Sequence, residues 1–307
     1  MNFIQWVLHW VHLFAPGISI LVLCIYTYLC LNLFLLPFII AYTAYILFYL
    51  PTQTEIDVWT YIRKRVGPLL ATGDYSEAFQ VKGSIPDKTQ TALYTIHPHG
   101  LLASSALVHV LDTHSPLHDS LTHHRIAIHS TLFKIPILRE MLLYHGCIPA
   151  TRDHITASLE QSKSVWLTPG GTQEASQSKS EEETWTFKAH KGFLKLAHQN
   201  KIPIVPIYSE GEQKLMTPTY ECGWLDALLS FCTGYTVKAG LILQGFLPHN
   251  ISRWYAIGAN LDKKATTYHI GEPFQVESIA EASALYEAHV RSLYESVHGK
   301  DKELRII

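Results

Sequence analysis

Two histidines flank a proline at His97-Pro98-His99-Gly100, directly after an apolar run (91–96, TALYTI) and directly before a helical pattern. A histidine near neutral pKa can remove a proton from a hydroxyl as it attacks a carbonyl, worth about 10²–10⁴-fold in rate. Ligands of open α/β sheets sit beyond the carboxyl ends of strands, where this motif falls. His99, nearer the helix start, is the candidate base; His97 positions it or the substrate, and Gly100 allows close approach. A metal site competes, but H-x-H supplies only two of the three or four ligands zinc needs. Taken alone, the motif is equally well explained as a polar turn at a strand end.

Pro169-Gly170-Gly171-Thr172-Gln173-Glu174 also follows a strand-like run. Gly170 and Gly171 can turn backbone N–H groups toward an oxyanion or phosphate, and Glu174 can orient an imidazole as triad carboxylates do. An ordinary Gly-Gly turn with a solvated glutamate is the plainer reading. Two charged pairs follow the same logic, Arg139-Glu140 and Arg152-Asp153. Arg152 suits a bidentate clamp on an anionic or ester group, against the commoner surface pair with Asp153. Lys191 and Lys195 flank Gly192, share a helix face four residues apart, and suit the phosphates of CoA near a helix start. Solvated lysines are the alternative. His114, His118, His123, His124 and His129 cross a proline-containing loop without accompanying carboxylates or cysteines, and read as a polar surface.

The elements that must position these residues alternate. Apolar or β-rich runs at 91–96, 125–129, 164–168, 202–208 and 239–247 are separated by helical patterns at 101–111, 136–144, 154–161, 190–198 and 279–298. That order predicts an α/β domain with a largely parallel sheet. The stretch 176–184 (SQSKSEEET) is polar and charge-dense and reads as a mobile surface loop.

The N-terminal part is different. No Lys, Arg, Asp or Glu precedes Glu55, and residues 18–50 are almost wholly apolar. One straight helix of that length reaches about 50 Å against a hydrocarbon core of about 30 Å. Pro37 lies inside it and costs an interior helix bond, so a transmembrane helical hairpin meeting near Pro37 fits better than one span. Residues 2–14 read as an interfacial helix, and Arg63-Lys64-Arg65 assigns the following segment to the cytosol. A cleaved signal peptide fits poorly, because no basic segment leads the apolar run. The division is therefore 1–54, an anchor, and 55–307, the α/β domain. Across the 307 residues, 48% are hydrophobic, 16% are charged and the net charge is −2, without the basic footprint that nucleic acid requires. The five cysteines form no C-x-x-C pair, and their odd number fits a reducing compartment.

Together these blocks resemble the type 2 diacylglycerol acyltransferase family, which includes monoacylglycerol and wax-alcohol acyltransferases. The H-P-H-G motif matches at 97–100, and 135–153 is similar to a stretch with an R-E and an R-D pair. PGGTQE (169–174), KGFLKLAHQNKIPIVPIYSEGE (191–212) and Gly271-Glu272-Pro273 match later blocks, over about residues 90–298. Two positions depart: His190 stands where the family tends to have arginine, and Ser209-Glu210-Gly211-Glu212 where S-F-G-E is usual. The resemblance implies an acyltransferase-like domain moving a fatty acyl chain from acyl-CoA, as co-substrate and without cofactor or metal, to a neutral lipid acceptor, most simply diacylglycerol. It also implies residence among membrane lipid at the endoplasmic reticulum with the catalytic face toward the cytosol, and it admits a homodimer. His99 and His97 are then catalytic with Glu174. Phospholipid-making relatives carry Asp four residues after the histidine; Ala103 stands there, so Glu174 is nominated as the carboxylate. Gly100, Arg139, Glu140, Arg152, Asp153, Gly170, Gly171, Lys191, Gly192 and Lys195 are the implied substrate contacts. The rivals are a lysophospholipid-type acyltransferase, a membrane-anchored lipid-binding protein without catalysis, and a metal hydrolase.

Overall fold

The computed structural model describes residue 25 and residues 35–70, 78–85, 90–100, 103–111, 115–177, 184–185, 191–215, 266–299 and 304–306. In chain order these form α1 (Leu36–Phe48), α2 (Gln53–Leu70), β1 (Phe79–Lys82), β2 (Leu93–His97), α3 (Ser104–Leu111) and α4 (His118–His123). Next come β3 (Arg125–Ile128), a 3₁₀ turn (Ser130–Lys134), α5 (Leu138–Tyr144), β4 (Cys147–Pro149), α6 (Arg152–Glu160), β5 (Val165–Leu167) and α7 (Gly171–Gln177). The chain continues with β6 (Thr184–Trp185), α8 (Gly192–Asn200), β7 (Ile204–Glu210), α9 (Glu212–Leu215), β8 (Thr266–Ile270), α10 (Ala282–His298) and β9 (Arg305–Ile306).

Among the described residues, seven strands make one sheet in the order β1-β8-β7-β2-β5-β3-β4, and β6 pairs with β9 apart from it. The central strands β2, β5 and β7 are buried almost throughout, as strands covered on both faces must be. β2 runs parallel to β5 and to β7, with Thr95 opposite Leu167 and His97 opposite Tyr208. Parallel neighbours end at the same edge. The turns leaving β2, β5 and β7 therefore emerge side by side, and this brings the H-P-H-G and P-G-G segments together. The sheet departs from parallel at one pair, because β8 runs antiparallel to β7 and carries β1 with it. α10 lays Ala282, Tyr286, Val290 and Tyr294 against the sheet at the four-residue spacing of one helix face.

The expected strands at 91–96, 125–129, 164–168 and 202–208 and all five expected helices are present with shifted ends, while 239–247 lies outside the described residues. Of the polar stretch 176–184, residues 176–177 close α7 and Thr184 opens β6; 178–183 also lie outside. The histidines read as a polar surface are not uniformly so. His124 is buried, accepts a hydrogen bond from Trp166 Nε1 at 2.9 Å and stacks on Tyr94, because Tyr94 and Trp166 of adjacent strands leave a flat aromatic wall beside it. His129 is part-buried and accepts from the Thr131 N–H at 3.3 Å, while His123 is exposed and His114 lies outside the described residues.

Pro37 stands in the first turn of α1 rather than in a helix interior, where its missing N–H costs nothing. Among the described residues no single helix is long and apolar enough to cross a membrane, but Leu36–Phe48 and Gln53–Arg65 meet the length and composition test together, bent by 113°. Arg139 holds that bend: it pairs with Glu55 at 2.9 Å and lies over the Tyr45 ring at 5.5 Å. α2 is pinned further by Asp57 to Arg125 at 3.0 Å and by Arg63, whose Nη1 donates to the His145 carbonyl at 2.6 Å. Arg63 is thus buried, and of the three basic residues read as a cytosolic marker only Lys64 and Arg65 are exposed.

Burial beside Phe79 and Tyr268 pushes the His109 imidazole down to about 3. Between about 6.5 and about 3 the unfolded chain binds a proton there that the folded chain does not. This contribution to stability is complete above about pH 6.5 and is lost as the pH falls toward about 3. The unfolding midpoint of His109→Gln is expected to fall less steeply than wild type across that window, in thermal melts at several pH values. Parallel slopes would show that the buried imidazole does not govern acid sensitivity.

Candidate active site

His97 ends β2, is fully buried and stacks on Trp185 at 5.5 Å with ring planes 11° apart. Its Nδ1 lies 2.9 Å from Glu174 Oε2 and its Nε2 lies 2.9 Å from the Tyr286 hydroxyl. Burial, and then the charge of Glu174, raise the Tyr286 phenol far above its ordinary value, so the hydroxyl stays protonated, whereas the Glu174 carboxylate can only accept. In the neutral ring Nδ1 therefore carries the proton and gives it to the carboxylate.

His99 takes the opposite tautomer. Its Nε2 lies 2.8 Å from the Gly171 carbonyl, which can only accept, so Nε2 carries the hydrogen and Nδ1 holds the free lone pair. The His99 backbone N–H donates to Glu174 Oε1 at 2.7 Å, and the same oxygen lies 3.7 Å from Nε2. One buried carboxylate thus orients His97 through Oε2 and braces His99 through Oε1. A cis peptide joins His97 to Pro98, and Gly100 adopts φ +61 at the exit of the turn.

Glu174 reaches this position because α7 starts directly at the glycines. Gly171 N–H closes a turn onto the Thr168 carbonyl at 3.1 Å, and Glu174 N–H bonds back to Gly170 at 3.2 Å. This corrects the oxyanion role expected of Gly171: its N–H is committed to the turn, and its carbonyl, not its N–H, faces the imidazole. Gly170 is required for space. An added Cβ would lie 2.4 Å from Glu174 Oε2 and 2.5 Å from its Cβ, whereas one on Gly171, at φ +51, meets nothing within 4 Å. Gly170→Ala is expected to cost about 3 kcal/mol, the upper range for overpacking, and Gly171→Ala about 1 kcal/mol for one left-handed residue. Equal losses in denaturant melts of the two variants would contradict this packing.

The remaining expected contacts divide into two groups. Arg152 donates to Gln199 at 3.0 Å, tying α6 to α8. Gln199, Lys195 and Lys191 follow one another at four-residue steps, so Arg152 and both lysines share one exposed face, with exposed Gly192 at its start. Asp153 is exposed in the first turn of α6 and forms no pair with Arg152. Arg139 and Glu140 are not brought to the histidines. Glu140 accepts the Ile137 N–H at 2.9 Å and a short hydrogen bond from Tyr42, which holds Ile137 at φ 71, an outlier for a β-branched residue. Among the described residues no three or more His, Cys, Asp or Glu side chains are grouped to hold a metal ion.

Tyr286 and Trp185 were not singled out in the sequence. Tyr286 lies 189 positions from His97, and an aromatic at helical spacing reads as core. Phe193, of the K-G-F segment, packs edge-on against Tyr286 at 4.9 Å, which explains that motif's aromatic.

The sequence model of the family described as diacylglycerol acyltransferase matches residues 30–297, which include every residue of this cluster. The chain belongs to the diacylglycerol acyltransferase family. Relatives within that family's activity include diacylglycerol O-acyltransferase 2 of Homo sapiens, 29% identical over 52% of this chain and 39% of its own length. The protein of the same name in Dictyostelium discoideum is 27% identical over 52% of this chain and 46% of its own. Diacylglycerol O-acyltransferase 1 of Eremothecium gossypii is 31% identical over 57% and 41%. The matches thus span less than half the length of these relatives. A solved 1-acyl-sn-glycerophosphate acyltransferase from Thermotoga maritima aligns over 91% of this chain and 98% of its own, at 16% identity and TM-score 0.41.

Proposed function

We propose that the protein is an O-acyltransferase that moves a fatty acyl chain from acyl-CoA to the hydroxyl of a neutral lipid, diacylglycerol before monoacylglycerol or a wax alcohol. The observation that carries this reading is the buried Glu174 carboxylate shared by His97 and His99, with the His99 Nδ1 lone pair left available. Family membership and the printed names of the relatives support the same reaction.

In this reading His99 Nδ1 accepts the proton of the acceptor hydroxyl while its oxygen attacks the thioester carbonyl carbon. The new C–O bond forms, the C–S bond breaks, and the departing CoA sulfur takes the proton from His99. Between those events the ring is an imidazolium. Its Nε2–H faces the Gly171 carbonyl at 2.8 Å and Glu174 Oε1 at 3.7 Å, which stabilise the positive charge. A thioester is already activated, so a base and positioning suffice without metal. The face bearing Arg152, Lys191 and Lys195 is assigned to the CoA phosphates.

The protein is placed at the endoplasmic reticulum membrane with residues 55–307 toward the cytosol and residues 1–54 as the anchor, a transmembrane hairpin. The charge-free N-terminal sequence supports attachment to a membrane, as do the exposed Phe38 and Phe48 of α1, at 71% and 80%.

The test is acyl transfer by membranes containing the full chain, with labelled acyl-CoA and diacylglycerol, monoacylglycerol, a long-chain alcohol or lysophosphatidate as acceptor. Labelled triacylglycerol is the expected product. Ester formed only on lysophosphatidate would move the protein to the lysophospholipid class, and no ester on any acceptor would leave the lipid-binding rival.

A further inference from the structure

The turn after β7 delivers a second buried carboxylate to the same edge of the sheet. Glu212 opens α9 and is 1% exposed. Its Oε1 accepts the Ser105 backbone N–H at 3.3 Å, and its Oε2 accepts the Ser209 hydroxyl at 3.2 Å and a short hydrogen bond from the Ser105 hydroxyl. The Tyr268 hydroxyl lies 2.9 Å from Ser105 Oγ. Burial, then the charge of Glu212, raises the Tyr268 phenol well above its ordinary range, so it stays protonated. Donors thus converge on one acceptor-only group, the arrangement an ionised carboxylate needs when buried.

Glu212 also touches the H-P-H-G turn through its backbone. A Cβ on Gly100 would lie 2.9 Å from the Glu212 carbonyl oxygen and 3.3 Å from its carbonyl carbon. Ser105 lies in the first turn of α3, and its N–H is one of the four that a helix start leaves without an internal partner. Glu212 therefore lies against Gly100 through its backbone and holds Ser105 through its carboxylate. We infer that Glu212 is a positioning residue for the transfer reaction, fixing the exit from His99 into α3 so that the imidazole stays aimed between Gly171 and the acceptor. This rests on the proposed acyltransferase reading, yet its mechanical half is measurable without catalysis.

The experiment compares full-length wild type, Glu212→Gln, Ser105→Ala and the double variant. Two readouts are taken: steady-state acyl transfer, and hydrogen exchange of peptides covering 97–111, α6 and α8. Glutamine keeps the shape and places an NH₂ against donors. The expected result is a kcat lowered by about tenfold or more, with KM for acyl-CoA within roughly twofold. Amide exchange at 97–111 should rise about tenfold, with α6 and α8 unchanged. Ser105→Ala should act in the same direction, and the double variant should be no worse than Glu212→Gln, because both remove one linkage. Wild-type kcat in Glu212→Gln would overturn the inference, and so would unchanged exchange at 97–111 or a rise spread equally over α6 and α8. If wild type transfers no acyl chain, the acyltransferase reading fails, and the exchange pattern still decides the positioning.

Discussion

His99→Ala is expected to lower kcat by about 10²–10⁴-fold, the range for losing a general base, with little change in the affinity for acyl-CoA. Its ring is tied by one hydrogen bond to the Gly171 carbonyl and one weak approach to Glu174, and its backbone N–H to Glu174 is retained in the variant. Folding is therefore largely preserved, and the loss falls on the chemical step. The measurement is single-turnover acyl transfer with both substrates saturating, beside a thermal melt. His97 gives the contrast, since both its ring nitrogens are already engaged, with Glu174 and with Tyr286. Activity close to wild type in His99→Ala would show that the proton is taken by another group, and the tautomer argument would then fail with it.

Glu174→Gln is expected to reduce kcat by about 10³-fold or more, of the order seen when the orienting carboxylate of a triad is neutralised, and also to destabilise the fold. The residue is fully buried and its two oxygens serve different donors, His97 Nδ1–H and the His99 backbone N–H. An amide satisfies only one of them. Turning its NH₂ toward His97 forces the proton of that ring onto Nε2, where the Tyr286 hydroxyl already donates. Turning it the other way sets NH₂ against the His99 N–H. The first arrangement makes the Tyr286 hydroxyl turn its proton away from His97, the second leaves the His99 N–H unsatisfied at about 1–3 kcal/mol, and in both the imidazolium formed at His99 loses its counter-charge. Denaturant melts and saturating-substrate rates measured on the same preparations separate the two effects. A variant within about threefold of wild-type kcat would remove the carboxylate from the mechanism.

The elements and the chemical types were legible along the chain. Strands buried on both faces show as short apolar or β-rich runs, so 91–96 (TALYTI) and 202–208 (IPIVPIY) announced β2 and β7. Helices that cover a sheet must repeat apolar residues every three or four positions, which marked α8 and α10. The pairing of a histidine motif with a Gly-Gly-x-x-Glu segment was also legible, because both follow strands and strand ends collect ligands. Local signals misled where tertiary context outweighed them. β8 (TTYHI) is largely polar and β4 is three residues long with a terminal proline, so neither had a pattern to announce it. Arg139 and Glu140 were expected as substrate contacts through the resemblance of 135–153 to a family stretch with an R-E pair. The fold uses them to hold α1, α2 and the strained Ile137.

Only tertiary contacts settle which nitrogen of each histidine carries the hydrogen. That choice depends on Tyr286, Gly171 and Glu174, drawn from α10, the turn after β5 and α7, and no interval along the chain encodes their meeting. The same holds for Glu212, which is buried against Ser105, more than a hundred residues earlier. Strand order is the physical reason. A residue's type and its neighbours are local properties. Its hydrogen-bond partners follow from which strands lie side by side, and in a parallel sheet those strands are joined by long crossovers rather than by tight turns.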